Sequence, residues 1–245
     1  MYHKLFDICL PTVSILRSEL ATQDDLPESV TTSFGYDSEF PDVLIQEINQ
    51  EVLNYVDKVY ILDTGTDAIN QGAHGRRITE YSLNSLNDYT KDLDKDAKLL
   101  ELGCGQGLIL QAISAQGFTD LTGIDMVDPA DIVDLESITI RAEYIHETKF
   151  EDEAFDFIFS KTTLEHIPDI KKTFTEINRI LKTGGGMFFT VPNCKREIEI
   201  GDQRMLSLTH WNYFTEDNIK GILERFGFTD INIQSSPTGQ DIHAY

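Results

Sequence analysis

The chain has 245 residues, 40% of them hydrophobic, and a formal net charge of −22. That length supports one α/β domain with an N-terminal addition and a sizeable core, with no need of a zinc or disulfide staple. The acidity argues against a nucleic-acid partner, which needs clustered Lys and Arg, and favours a small, neutral-to-cationic substrate. Arg76-Arg77, Lys171-Lys172 and Lys195-Arg196 are the adjacent basic pairs and read as solvated surface. Cys9, Cys104 and Cys194 form no C-x-x-C pair, as in a reducing compartment. No basic start leads into an apolar stretch, and no apolar run approaches the roughly 18 residues of a membrane span. The expectation is a cytoplasmic protein with no membrane association.

In chain order, the first readable element is a predicted helix over Asp42 to Lys58, with Ile45, Ile48, Val52, Val56 and Val59 at helical spacing. A Gly- and Thr-containing loop follows at Asp63 to Gly75. A second helix is predicted over Arg77 to Lys91, where Ile78, Tyr81, Ser85, Leu86 and Tyr89 share a face that would lie on a following sheet as a lid or cap. Residues 1–95 are thus read as an N-terminal helical cap and substrate-side extension, and residues 96–245 as the ligand-binding domain. Asp92, Asp94 and Asp96 are spaced like the start of a calcium loop, but its sixth position is Ala97 and its twelfth Gly103, so they read as a solvated turn.

The apolar run Leu99-Leu100-Glu101-Leu102 then breaks into Gly103-Cys104-Gly105-Gln106-Gly107. A buried strand ending in a turn that glycine makes most easily, followed at once by a helix, leaves backbone N–H groups for a ligand. The next strand ends at Asp125, 22 positions after Gly103, a spacing at which a carboxylate receives ribose hydroxyls. Gly-x-Gly-x-Gly differs from the Gly-x-Gly-x-x-Gly of a dinucleotide fold, whose helix start serves a pyrophosphate. Glu101, two positions before the first glycine, would repel a diphosphate but accept hydrogen bonds from an ammonium group.

These residues resemble the class I S-adenosylmethionine-dependent methyltransferases, whose first motif is acid-x-Gly-x-Gly-x-Gly and whose second strand ends in an acid. The resemblance runs from about Lys98 to about Gln234. Phe155-Asp156-Phe157-Ile158-Phe159-Ser160 is similar to the fourth strand, and Leu164-Glu165-His166-Ile167-Pro168-Asp169 to the segment after it. Leu181 to Gly186 and Met187 to Asn193 resemble the turn and fifth strand of the small-molecule subgroup. His210-Trp211-Asn212-Tyr213-Phe214-Thr215 resembles the loop before its last helix. The implied fold is α/β, a Rossmann-like, mostly parallel sheet with helices on both faces. Strands are expected at about Lys98–Leu102, Leu121–Asp125, Ile138–Arg141, Phe155–Ser160, Met187–Val191 and Thr229–Gln234, with Asp241 to Tyr245 left for a seventh, antiparallel one. A weaker similarity links Tyr60-Ile61-Leu62-Asp63-Thr64-Gly65, and His210 ahead of Tyr213-Phe214, to sugar C-methyltransferases, without their zinc-ribbon cysteines.

For the cofactor, S-adenosyl-L-methionine, the resemblance implies packing of its methionine and ribose parts on Gly103, Cys104, Gly105 and Gly107. It places Glu101 by the amino group, Asp125 on the ribose and Met126 on the adenine face. Glu143 and Tyr144 are the candidates at the adenine amino group, and Cys104 reads as a small turn residue. On the acceptor side, His210 and His166 are the candidate bases, and Glu165, Asn193 and Trp211 the candidate substrate contacts, with Tyr213 as a further wall. His3, His74, His146 and His243 show no metal-ligand spacing, so a metal-independent enzyme is expected. The leading reading is methyl transfer to a small molecule, such as a sugar or other hydroxylated metabolite. The alternatives are a cofactor-binding, non-catalytic relative and, given the acid after the second strand, an NAD-dependent oxidoreductase.

Overall fold

A computed structural model describes residues 13–16, 29–32, 34–36, 44–46, 50, 83–126, 137–196, 210–236, 239 and 241–245. Strands β1 (Val13–Leu16) and β2 (Ser29–Thr32) form an antiparallel pair, and the main feature is a seven-stranded sheet. Strands β5 (Lys98–Leu102), β6 (Asp120–Asp125), β7 (Ile138–Ala142), β8 (Phe155–Lys161) and β9 (Leu181–Pro192) fall where five of the predicted strands lie. With β11 (Ile233–Ser235) and β12 (Asp241–Ala244) the spatial order is β11-β12-β9-β8-β5-β6-β7. The ladders β5/β6, β5/β8, β6/β7 and β8/β9 are parallel. Order reverses on either side of β5, so the carboxyl ends of β5 and β8 flank a topological switch point, where open α/β sheets take their ligands.

Parallel central strands are buried on both faces and therefore read as continuous apolar runs. In β5 every residue after Lys98 is buried. Leu99, Leu110, Ile113, Phe118, Phe157, Phe159 and Phe188 pack into one cluster with Leu86 of helix α1, residues 83–90. At roughly 1.5–3 kcal/mol for each fully buried large side chain, this cluster anchors the β5–glycine turn–α2 unit, α2 being Leu108–Ser114. Thus α1, within the predicted second helix, is a packing element of the core: Leu86 is buried, and Leu83 and Tyr89 lie against it. Residues 77–82 of that prediction lie outside the described residues.

Three sequence expectations are corrected. The helix predicted over 42–58 does not begin there, because Leu44–Gln46 forms strand β4. It pairs antiparallel with β3 (Phe34–Tyr36) on one side and β10 (Asn212–Tyr213) on the other. Long-range pairing overrides the local apolar spacing; Gln50 is helical, and 51–58 lie outside the described residues, as does the Tyr60–Gly65 segment. The fifth strand starts at Leu181 instead of Met187, with the glycine run absorbed as an irregularity: Phe155 faces Leu181, but Phe157 faces Gly186. The sixth strand shrinks to Ile233–Ser235 after Asp230, whose φ of 56° interrupts extended backbone. The seventh strand is four residues long, with Ile242 and Ala244 buried.

The chain divides into two compact units. One comprises Met1–Leu62, Leu164–Pro168 and Val191–Ile242; the other comprises Asp63–Thr163, Asp169–Thr190 and His243–Tyr245. In the second unit, helix α3 (Ile170–Ile180) is capped by Asp169, whose carboxylate accepts the Lys172 N–H at 2.9 Å. In the first, helix α4 (Glu216–Arg225) opens on a reciprocal capping box between Thr215 and Asn218. That cap fixes where the His210–Thr215 segment ends. Among the described residues, no helix is long and apolar enough to cross a membrane.

Candidate active site

The glycine turn is built by its contact with the neighbouring strands. Gly103 and Cys104 donate their N–H groups to the Ile124 carbonyl at 2.8 and 3.1 Å, which ties the end of β5 to the end of β6. Gly103 has a φ of 72°, and a Cβ there would stand 2.1 Å from Thr163 Oγ1, so both backbone conformation and close approach require glycine. Gly105, in contrast, has nothing within 4 Å of where a Cβ would be. Its open face lies beside Asp125, whose Oδ2 accepts the Gly105 N–H at 2.8 Å. Thr163 is a contributor that sequence reading missed, since only the folded chain brings it against the first glycine.

Glu101 is 2% exposed at the end of β5. Burial pushes its carboxyl well above the usual range, and the Asp125 carboxylate pushes the same way, while Lys161 and a hydrogen bond from the Leu110 backbone pull it back. Its Oε2 is buried without a hydrogen-bond partner. Such an atom costs free energy unless a ligand meets it, and a cationic donor is the partner its position and charge favour. Lys161 at the end of β8 also escaped the sequence reading, because its effect depends on β8 lying beside β5. Cys104 is buried, and burial followed by the Glu101 and Asp125 charges pushes its thiol far up. A thiol held neutral is a poor nucleophile, in keeping with a small turn residue.

The other predicted cofactor contacts are differently placed. Met126 is half-buried directly after β6. Glu143 pairs with Arg141 at 3.4 Å, and Tyr144 is exposed and stacks on His146 with ring centroids 5.6 Å apart. They sit at the end of β7, next to β6 in the sheet, with an aromatic face in solvent reach.

In the other unit, the acceptor-side candidates converge. The Leu164–His166 turn and the His210–Tyr213 segment are clamped by three hydrogen bonds. Trp211 N–H donates to the Glu165 carbonyl at 2.7 Å, and the Asn212 side-chain amide donates to the carbonyls of Leu164 and Ile167 at 3.1 and 2.6 Å. Asn212 is 1% exposed, so this clamp is shielded from competing water. It sets the His166 and His210 rings edge to face, centroids 4.8 Å apart, with Tyr213 6.2 Å from His210. His166 Nε2 lies 3.7 Å from Glu165 Oε1. Glu165, His166 and His210 each bring a donor atom into a group spanning no more than 4.8 Å. Trp211 is buried and contributes packing there. Asn193, also buried, donates to Ser235 Oγ at 3.1 Å and accepts the Arg196 N–H at 3.3 Å, so its amide holds local structure.

Comparison with known proteins decides the family. The sequence matches the model of a methyltransferase domain over residues 74–233. The chain belongs to this methyltransferase-domain family. Among curated relatives, the ubiquinone biosynthesis O-methyltransferase of Saccharophagus degradans is 33% identical over 106 residues, covering 40% of this chain and 44% of the relative. The Vibrio atlanticus protein of the same name is 30% identical over 126 residues, covering 48% and 52%. The chain thus spans about half the length of the curated relatives it matches. Of solved structures, a SAM-dependent methyltransferase from Archaeoglobus fulgidus aligns with a TM-score of 0.54 at 16% identity, covering 68% of this chain and 92% of that one. Phosphoethanolamine N-methyltransferase 2 of Haemonchus contortus, in complex with S-adenosyl-L-methionine, gives 0.53 at 20%, covering 64% and 39%. These two likenesses establish the shared fold.

The residues of this methyltransferase domain fit S-adenosylmethionine. The orphaned, buried Glu101 Oε2 suits an α-ammonium group, the uncovered face of Gly105 leaves room for a ligand, and Asp125 stands at the end of β6. A measurable consequence concerns protons. A carboxyl whose pKa is raised in the folded state stabilises the fold below its unfolded value of about 4.5, and that contribution is lost as pH rises through the raised value. Bound ammonium favours the ionised form, so cofactor binding should release a proton and tighten with rising pH across that range. Calorimetric titration in buffers of different ionisation enthalpy checks this, and Glu101→Gln should abolish the buffer dependence.

Proposed function

We propose that this chain is an S-adenosylmethionine-dependent methyltransferase acting on a small, hydroxyl-bearing acceptor. The observation that carries the cofactor half is the buried, unpartnered Glu101 Oε2 behind the glycine turn. The bound cofactor supplies an electrophilic methyl group on a sulfonium. Gly103, Cys104, Gly105 and Gly107 shape the backbone that cradles it, Glu101 takes its ammonium group, and Asp125 takes the ribose hydroxyls. Met126 lies on the adenine, with Glu143 and Tyr144 near the adenine amino group. A diphosphate would meet Glu101 as a like charge, which counts against the NAD-dependent reading.

For the acceptor half, His210 serves as the base that takes the hydroxyl proton, with His166 beside it and Glu165 next to His166. Methyl transfer is an in-line displacement, so orientation supplies most of the acceleration, and effective molarities reach ~10⁵–10⁸ M in favourable models. A placed base adds roughly 10²- to 10⁴-fold. Residues 1–95 are read as an acceptor-side extension. Support comes from β4, which pairs Leu44 with Tyr213 and Ile45 with Asn212, just beyond His210. The O-methyltransferase names of the curated relatives agree with a hydroxyl acceptor, and the charge of −22 agrees with a metabolite rather than a nucleic acid. Incubation with S-adenosylmethionine and a panel of phenols, sugars and nucleotide sugars, with S-adenosylhomocysteine as readout, tests the proposal. Cofactor binding without turnover on any hydroxylated acceptor would favour the non-catalytic alternative.

A further inference from the structure

The geometry points to a divalent transition-metal site formed by Glu165, His166 and His210. Their donor atoms lie within 4.8 Å of one another, and the carboxylate is 2% exposed. Donors at ~2.1 Å from one tetrahedral ion stand ~3.4 Å apart. The Glu165–His166 pair at 3.7 Å is close to that separation, and a pair at the 4.8 Å limit needs to close by ~1.4 Å, within the reach of side-chain torsions. Two imidazoles and one carboxylate select the metal class. Imidazole nitrogen suits Zn, Fe, Co and Ni, whereas Mg and Ca prefer an all-oxygen shell. Three protein ligands also leave coordination positions open, the arrangement of a catalytic rather than a structural site, and an acceptor oxygen is the ligand they would take.

A metal site needs its ligands held in place by the surrounding shell, and this one has such a shell. Glu165 and His166 are consecutive in one short turn, and His210 directly precedes Trp211, whose N–H is bonded to the Glu165 carbonyl. The buried Asn212 amide bonds the carbonyls on both sides of that turn, at Leu164 and Ile167. The ligands therefore sit on two segments joined by backbone-level bonds, with little left to order when an ion arrives. No sequence spacing reveals this arrangement, because the third ligand is supplied from a segment distant in the chain.

The inference shares His210 and His166 with the proposed acceptor chemistry. An imidazole nitrogen bound to the ion takes no proton, so with metal present the ion's polarisation of the acceptor oxygen would stand in for His210 as base; the readout is metal binding alone. Chelator-treated full-length chain is titrated with Co²⁺, followed by visible ligand-field absorption, and in parallel with Zn²⁺ and Mg²⁺ by calorimetry. The expected result is one equivalent of Co²⁺ bound, displaced by Zn²⁺, with no matching Mg²⁺ binding. His210→Ala and His166→Ala should each weaken binding at least ~10-fold, and the isosteric Glu165→Gln should weaken it with the fold kept. His146→Ala, outside the cluster, should bind as the parent chain does. Absence of Co²⁺ binding, or binding that survives both cluster histidine variants, would overturn the site, as would a thiolate-type spectrum assigning the ion to cysteine. Turnover in the presence of chelator would leave methyl transfer standing without the metal, and metal binding without turnover would do the reverse.

Discussion

Replacing His210 with alanine should lower turnover by roughly 10²- to 10⁴-fold while leaving affinity for S-adenosylmethionine close to unchanged. The asymmetry follows from placement. His210 belongs to the unit holding Glu165, His166 and Trp211, whereas the glycine turn, Glu101 and Asp125 belong to the other. His210 is half-buried, its ring lying edge to face with His166 at 4.8 Å. An imidazole so held is oriented yet still reachable by solvent protons, as a base that must be recycled requires. Steady-state rates and calorimetric affinities on the same preparations provide the check. Added imidazole should restore part of the lost rate if a base has been removed. A variant with near-parental turnover would show that His210 only packs on His166 and Tyr213. His166→Ala should be less selective, because its removal also disturbs the turn that follows β8, and both rate and cofactor affinity should fall.

The candidate cofactor half of the site is legible in the sequence because it is local. Glu101, the three glycines and Asp125 sit on consecutive strand–turn–helix–strand elements, and their positions follow from the period of one βαβ unit. The acceptor half is assembled from far-apart segments. Asn212, which clamps Leu164 and Ile167, carries no sequence signal that separates it from any loop amide, and its role exists only once the segments meet. Thr163 and Lys161 follow the same rule, since each acquires meaning from β8 lying beside β5. Strand β4 differs from the sequence expectation for a related reason: Ile45 and Ile48 satisfy the start of a helical apolar spacing, but the pairing of Leu44–Gln46 with β3 and β10 overrides it. Asn193, expected at the acceptor, accepts the nearby Arg196 N–H and donates to Ser235, the second a bond to a distant segment that sequence spacing does not reveal.

Asp125→Ala should weaken cofactor binding by ~10-fold or more for each ribose hydrogen bond lost, since hydrogen bonds to a charged acceptor contribute roughly 1.5–3 kcal/mol each. Two further effects act in opposite directions. The carboxylate also accepts the Gly105 N–H at 2.8 Å, so its removal loosens the middle of the glycine turn and adds to the loss. On the other side, Asp125 helps to raise the pKa of Glu101, and without it Glu101 ionises more readily and meets the ammonium group at less cost. The second effect is the smaller, because burial is the larger cause of the Glu101 shift. Net weakening is therefore expected, together with a pH dependence of affinity displaced to lower pH. Asp125→Asn keeps an acceptor oxygen and removes the charge, so it should lose less affinity while showing the same displacement. Calorimetry across pH separates these contributions, and hydrogen exchange at the Gly105 amide reports the loosened turn. Unchanged affinity in a folded Asp125→Ala chain would show that the residue serves only to tie the turn to β6.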